Sequence, residues 1–371
     1  MERVVWDLAQ AFSARGIKTT VVTSAVAGHP VRFRIDGIDV IAIEGALGGR
    51  YSKAFWNGTL DAFDLLCEEG IDAVIGVSAG ARAIALHRKR RTVPVMMQAH
   101  GSSIGEFISK WRRPTMRSAL GSAKNFLWIF KDRHALARYD AIVAISDAVN
   151  QQIRWTAVLS RAHAPVEVIA NGIDERVFAF EPSARQAARR AYGFDDSHQV
   201  IVSVSRLHRQ KGVRELVSAF DTYAGSNSRA RLLIVGDGPD QEALEALVSA
   251  RGLASRVVFT GALARNEVAD CFAAADVFSF LTLRVEGLPL NMLEALAAGL
   301  PSVLARSVAA CIPSHAGIFT VDPWNKEAVV GALAHACEFA AQGGRTQLPD
   351  AYRLELCASA YLNLIQRMAR R

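Results

Sequence analysis

The sequence predicts an α/β protein of two doubly wound domains separated by a cleft, and three observations carry that prediction. Short β-branched runs alternate with longer amphipathic stretches along the chain, the mark of repeated βα units on a parallel sheet. The pattern breaks in a polar, Arg-rich stretch, 177–197, and then starts again. At 371 residues the chain is also longer than one hydrophobic core ordinarily serves.

In the first half, strands are expected at Lys18–Thr23, Val40–Ile43, Ala73–Val77, Val95–Gln98, Ala141–Ala144 and Val166–Ile169. Helices are expected at Ala54–Glu69, Ala79–Arg90 and Asp147–Ser160. After the break come strands at Val200–Ser205, Arg231–Val235, Val257–Phe259, Val277–Phe280 and Ser302–Leu304. Helices follow at Val213–Tyr223, Gln241–Arg251, Arg265–Ala274 and Leu290–Ala298. Arg353–Met368 is helical by period. The expected organisation is a domain over 1–180, a second over 181–350, and a helix within 351–371 that packs back on the first. Residues 1–9 already read as helix, with no strand or glycine-rich turn ahead of them. A doubly wound domain opens with a central strand, so the first domain is expected to lack its first strand.

Composition narrows the class. Apolar residues make up 51% and charged residues 21%, the balance of a globular protein with ample core. No stretch approaches the roughly eighteen apolar residues of a membrane span. Glu2 and Asp7 interrupt any signal-peptide core. The 5 cysteines are scattered, with no CxxC pair. That pattern predicts reduced thiols in the cytoplasm, no metal site and no disulfide framework.

The net charge of +7 is concentrated. Residues 109–138 hold Lys110, Arg112, Arg113, Arg117, Lys124, Lys131, Arg133 and Arg138 against the single acid Asp132, interleaved with Trp111, Phe126, Trp128 and Phe130. Two readings stand side by side: a solvated helix face with its aromatics in the core, or adsorption to an anionic membrane surface. No recognition motif supports nucleic acid as a partner.

The most informative segment is Glu286-Gly287-Leu288-Pro289-Leu290-Asn291-Met292-Leu293-Glu294. Pro near the start and the apolar run behind it begin a helix close to Leu290. Glu286 then lies in the loop before the helix and Glu294 just over a turn inside it. The amides of Gly287, Leu288 and Leu290 sit at the positive end of the helix dipole, which suits a phosphate. Flanking carboxylates are acceptors for sugar hydroxyls.

With these residues in view, the chain resembles the retaining glycosyltransferases of glycosyltransferase family 4, which have the GT-B fold of two Rossmann-like domains facing across a cleft. The second half carries Val202-Ser203-Val204-Ser205-Arg206-Leu207 with Gln210-Lys211-Gly212, Leu233 to Pro239, Val258 to Gly261, and the acid pair, which looks like the family's E-x7-E signature. The first half carries Ala99-His100-Gly101, Ile145-Ser146 and Ile169 to Asp174 more loosely.

The resemblance implies roles. Arg206 and Lys211 would hold the donor diphosphate together with Gly287, Leu288, Pro289 and Leu290; Glu294 would bind the ribose. Glu286 would contact the donor sugar, and His100 would sit near the reacting centre. No cofactor or metal is implied. The donor would be a nucleotide-diphosphate sugar and the acceptor a glycan or lipid-linked glycan of surface polysaccharide or lipopolysaccharide synthesis, made in the cytoplasm or on the inner membrane face. Two alternatives stay open: a nucleotide-sugar-binding protein without turnover, because the front lacks its strand and glycine-rich loop, or a sugar-nucleotide epimerase. The chain also departs from the family at Arg306 to Cys311, where a glycine-rich turn is usual. Taken alone, Arg206 and Lys211 read as surface charges, His100 as a structural histidine, and Asn171-Gly172 and Asp237-Gly238 as turns.

Overall fold

The computed structural model describes residues 2–49, 51–87, 93–101, 134–158 and 164–370. Contacts divide the chain into two units, Met1–Gly172 with Ala351–Arg371, and Ile173–Asp350. Most of the basic stretch 109–138, and Arg88 to Arg91, lie outside the described residues.

The first unit runs α1 (Glu2–Ser13), β1 (Thr20–Ser24), β2 (Arg32–Ile35), β3 (Ile38–Ile43), α2 (Lys53–Glu69), β4 (Val74–Val77), α3 (Arg82–Leu86), β5 (Val95–Ala99), β6 (Ala141–Ala144), α4 (Asp147–Val158) and β7 (Val166–Val168). Its strands form two sheets, ordered β1-β3-β2 and β4-β5-β6-β7. The second is wholly parallel, whereas β2 turns back antiparallel on β3. A doubly wound order seats its first strand between β1 and β4, and no described strand joins them. Burial follows: β6 is buried at every residue, while every residue of β1 stays part-exposed.

The second unit runs α5 (Pro182–Ala191), β8 (Gln199–Val204), α6 (Val213–Ser226), β9 (Ala230–Val235), α7 (Gln241–Ala250), β10 (Val257–Phe259), α8 (Arg265–Ala274), β11 (Val277–Phe280), α9 (Leu290–Ala297), β12 (Ser302–Ala305), α10 (Arg306–Ala309), β13 (Ile318–Val321) and α11 (Lys326–Ala341). Its six strands make one parallel sheet ordered β10-β9-β8-β11-β12-β13. From β8 the chain winds outward through β9 to β10, then returns to lay β11 on the other side of β8. The winding reverses there, at the carboxyl ends of β8 and β11, the position where doubly wound sheets bind ligands.

The last helix, α12 (Leu354–Ala369), rejoins the first unit. Its Cys357, Ala358, Tyr361 and Leu364 share a core with Leu8, Phe12, Met96 and Val143.

Several elements differ from the sequence expectation. The Arg-rich stretch read as a boundary holds α5, which belongs to the second unit; the unit changes earlier, after Gly172. Two of its arginines are structural. Arg189 is only 2% exposed and donates to the carbonyls of Ala274, Asp195 and His198, and Arg185 pairs with Asp276 at 2.5 Å. A guanidinium can be buried when its donors are met in this way, which polarity along the sequence does not reveal. Strands β2 and β13 and helix α11 were also not expected. In β2 the run Arg-Phe-Arg-Ile is an exposed edge, so little apolar signal marks it.

Candidate active site

The crevice of the second unit brings two of the anticipated residues into contact. The loop after β8 carries Arg206 and Lys211, and the loop after β11 carries Glu286. Lys211 Nζ lies 2.9 Å from Glu286 Oε1, with the two side chains 25% and 13% exposed. The ammonium also stands 5.4 Å from the Phe280 ring centroid, a cation–π contact that further fixes its position.

Backbone contacts lock these loops together before any ligand arrives. Leu283 N–H donates to Gln210 O at 2.8 Å. Gly212 has φ 72°, and a Cβ there would fall 1.9 Å from Leu281 O, so only glycine permits the approach. The Gly236-Asp237-Gly238 turn works from the other side. A Cβ on Gly236 would lie 2.1 Å from Ser205 O, and Leu207 N–H donates to Asp237 O at 2.6 Å. That turn is therefore a mould for the Arg206 loop.

Four residues make contacts that shape the site and that sequence reasoning did not assign. Thr282 is 1% exposed, and its hydroxyl lies 2.9 Å from Glu286 Oε1 and 3.0 Å from Gln210 O, so its one proton can serve either. Arg284 Nε stands 3.8 Å from Glu286 Oε1 and adds a third cation beside the crevice. Asn291 Nδ2 donates to Val204 O at 2.6 Å, which pins the start of α9 to the end of β8. Cys311 Sγ donates to Gly287 O at 3.2 Å. Burial, with Glu286 nearby, pushes this thiol up to about 11, so it stays a protonated donor. The Arg306–Cys311 segment thus grips the Gly287 loop with a side chain where a glycine-rich turn was expected. Asn291 lies inside the Glu286-to-Glu294 segment and Cys311 inside the stretch where the chain departs from the family, but the contact each makes is visible only through its partner.

The other anticipated residues fall around this centre. Arg206 is exposed, and its guanidinium has no hydrogen-bond or ion-pair partner among the described residues. Leu288 is 6% exposed, Pro289 caps α9 with φ −71°, and Leu290 begins the helix. Glu294, on the second turn, is buried at 4% exposure.

His100 belongs to the first unit, just beyond β5. Its Nε2 lies 3.1 Å from Gln98 Oε1, and Gln98 Nε2 donates to Asn171 Oδ1 at 3.3 Å. Burial lowers the imidazole pKa to about 4, so the ring is neutral near pH 7. Asn171, read from sequence as a turn, is a buried acceptor.

Comparison with known proteins agrees with this architecture. The family model described as Glycosyltransferase Family 4 matches residues 1–177, and that described as Glycosyl transferases group 1 matches residues 184–336. A GDP-mannose-dependent alpha-(1-6)-phosphatidylinositol monomannoside mannosyltransferase of Mycolicibacterium smegmatis is 38% identical over 150 residues, 39% of each chain. The N-acetyl-alpha-D-glucosaminyl L-malate synthase of Bacillus anthracis is 30% identical over 174 residues, 47% of this chain and 43% of that one. The matched stretches thus span less than half the length of these curated relatives. Sucrose-phosphate synthase of Thermosynechococcus elongatus superposes with a TM-score of 0.78 at 17% identity, covering 98% of this chain and 92% of that one. HepE of Anabaena, solved in complex with UDP and glucose, gives 0.69 at 19% identity over 100% and 94%. These likenesses show the fold. The two family models together take in nearly the whole chain, and it belongs to the GT-B glycosyltransferases of family 4.

Proposed function

We propose that this protein is a retaining glycosyltransferase that moves a sugar from a nucleotide-diphosphate donor to a glycan or lipid-linked acceptor. The observation that carries the reading is the Lys211–Glu286 pair at the switch point of the second sheet. A leaving nucleoside diphosphate gains negative charge as the glycosidic bond breaks. Lys211, held by Glu286, and the amides at the start of α9 are fixed donors there, and the exposed Arg206 is free to close on the diphosphate; together they stabilise that charge without a metal. Glu286 offers its remaining lone pairs to donor hydroxyls, while Thr282 holds its orientation. Retention of configuration follows from front-side attack, in which the leaving phosphate takes the acceptor proton.

The acceptor classes we favour are lipid-linked or polymeric glycans of surface polysaccharide or lipopolysaccharide synthesis. Support comes from the relatives, whose names include a phosphatidylinositol mannoside acceptor and an alpha-monoglucosyldiacylglycerol synthase. No helix among the described residues is long and apolar enough to cross a membrane, so such an acceptor would be met at the membrane surface. The basic stretch 109–138 is the segment we assign to that contact.

The test is transfer from UDP- and GDP-sugars to lipid-linked acceptors in vesicles, with EDTA present and the product analysed by NMR. The reading predicts transfer with the donor's anomeric configuration kept. An inverted product, or transfer that needs added metal, contradicts it.

A further inference from the structure

We infer that Gln98 is a positioning residue that fixes His100 as the Nε2–H tautomer and so makes its Nδ1 a standing hydrogen-bond acceptor. Gln98 is 0% exposed on β5, and a buried amide must find partners for both ends. Its amide nitrogen donates to Asn171 Oδ1 at 3.3 Å, which turns the carbonyl end toward His100. That oxygen, 3.1 Å from His100 Nε2, can only accept, so Nε2 must carry the proton. A neutral imidazole has one N–H, and Nδ1 is left bare. Burial keeps the ring neutral, as its lowered pKa shows.

The far end of the network is anchored as well. Asn171 is 1% exposed, and a Cβ on the next residue, Gly172, would lie 2.6 Å from Leu354 Cα and 2.9 Å from Arg353 O. The backbone that presents Asn171 is thereby seated against the start of α12. The order of dependence runs from α12 to Asn171, to Gln98, to His100.

The consequence is chemical. A neutral histidine whose open nitrogen is an acceptor neither binds a phosphate oxygen nor delivers a proton from that nitrogen. What it recognises is a hydroxyl donor. On the glycosyl-transfer reading, on which this use rests, the group opposite His100 is a free sugar hydroxyl, and a donor deoxygenated there loses turnover.

The experiment is 15N NMR of the imidazoles, assigned with His100→Ala, together with steady-state transfer by Gln98→Met and Gln98→Glu. Wild type should give the Nε2–H pattern for His100, unchanged from about pH 5.5 to about pH 8. Gln98→Met, close in volume but without the acceptor, should yield mixed tautomers and lower kcat about tenfold, with donor KM within about threefold. Gln98→Glu keeps an acceptor facing Nε2 and should keep that nitrogen protonated, but its carboxylate should raise the imidazole pKa and it cannot donate to Asn171, so the pH-independence of the spectrum should be lost. An Nδ1–H pattern in wild type, or unchanged tautomer and rate in Gln98→Met, overturns the proposal. If Gln98→Met does not fold, the wild-type spectrum still decides. Transfer unaffected in His100→Ala overturns instead the placement of His100 at the reacting sugar, and the catalytic use of the network with it.

Discussion

The two units apply the same βα logic, yet they hold their polar residues by different means. In the second, six parallel strands form one sheet and backbone contacts pin the loops after β8 and β11. In the first, the described strands divide into sheets of three and four, and His100 is held by a chain of side-chain amides. Backbone holding is insensitive to most side-chain changes but intolerant of a new Cβ. Side-chain holding inverts this: one amide substitution releases the residue.

The sharpest break should come from the pair itself. Lys211→Ala is expected to lower transfer about 10²–10³-fold, the scale of removing one fixed charge-stabilising donor; Glu286→Ala should cost a similar factor, because it removes the acceptor that holds Lys211 and meets the donor hydroxyls. Steady-state kinetics under saturating acceptor checks this. A loss below about threefold would mean that the crevice is not where the diphosphate sits.

Next in size are the glycines. Gly212→Ala places a methyl 1.9 Å from Leu281 O at a left-handed φ, and Gly172→Ala places one 2.6 Å from Leu354 Cα. Each should cost about 3 kcal/mol or more of stability by urea unfolding. In the comparison, Gly212→Ala should also abolish donor binding, whereas Gly172→Ala should spare it.

An acid-side effect distinguishes the first unit. His100 has a folded-state pKa of about 4 against its ordinary 6.5, so below 6.5 the unfolded chain binds more protons. Its contribution is fully present above 6.5 and is lost as pH falls toward 4. The total is about 3 kcal/mol, and the slope should flatten in His100→Ala when unfolding is followed across that window.

The smallest effect is expected at Thr282→Val, which removes one hydrogen bond to Glu286 but leaves the backbone lock intact. A stability loss of about 1 kcal/mol and a fall in kcat of about tenfold or less are expected. A much larger rate loss would show that side chains, not backbone, hold this unit as well.

The same contrast explains what could be read from the sequence. In the second half, the strand alternation and the Glu286-to-Glu294 segment placed β8 to β12 and the start of α9 within about a residue, because β-branched runs and a Pro-led helix start are local signals, while β13 and α11 went unread. The buried Arg189 of α5 was misread because its partners, the carbonyls of Ala274, Asp195 and His198, are brought together only by folding. The contacts of Thr282, Asn291 and Cys311 were not legible for the same reason. Their importance lies in a contact to Glu286, Val204 or Gly287 that no spacing encodes. In the first half, His100 was named, but Gln98 looked like one more strand residue; a buried amide two positions before a histidine carries no pattern.

The central claim is that the Lys211 crevice of the second unit holds a nucleoside diphosphate independently of His100. Its most direct test is a thermal-shift series of the protein with UDP, GDP and ADP, run on wild type, Lys211→Ala and His100→Ala. A bound nucleotide stabilises the fold by mass action. The account predicts a rise in Tm with one nucleotide that vanishes in Lys211→Ala and persists in His100→Ala. No shift with any nucleotide, or a shift that Lys211→Ala leaves intact, would contradict it.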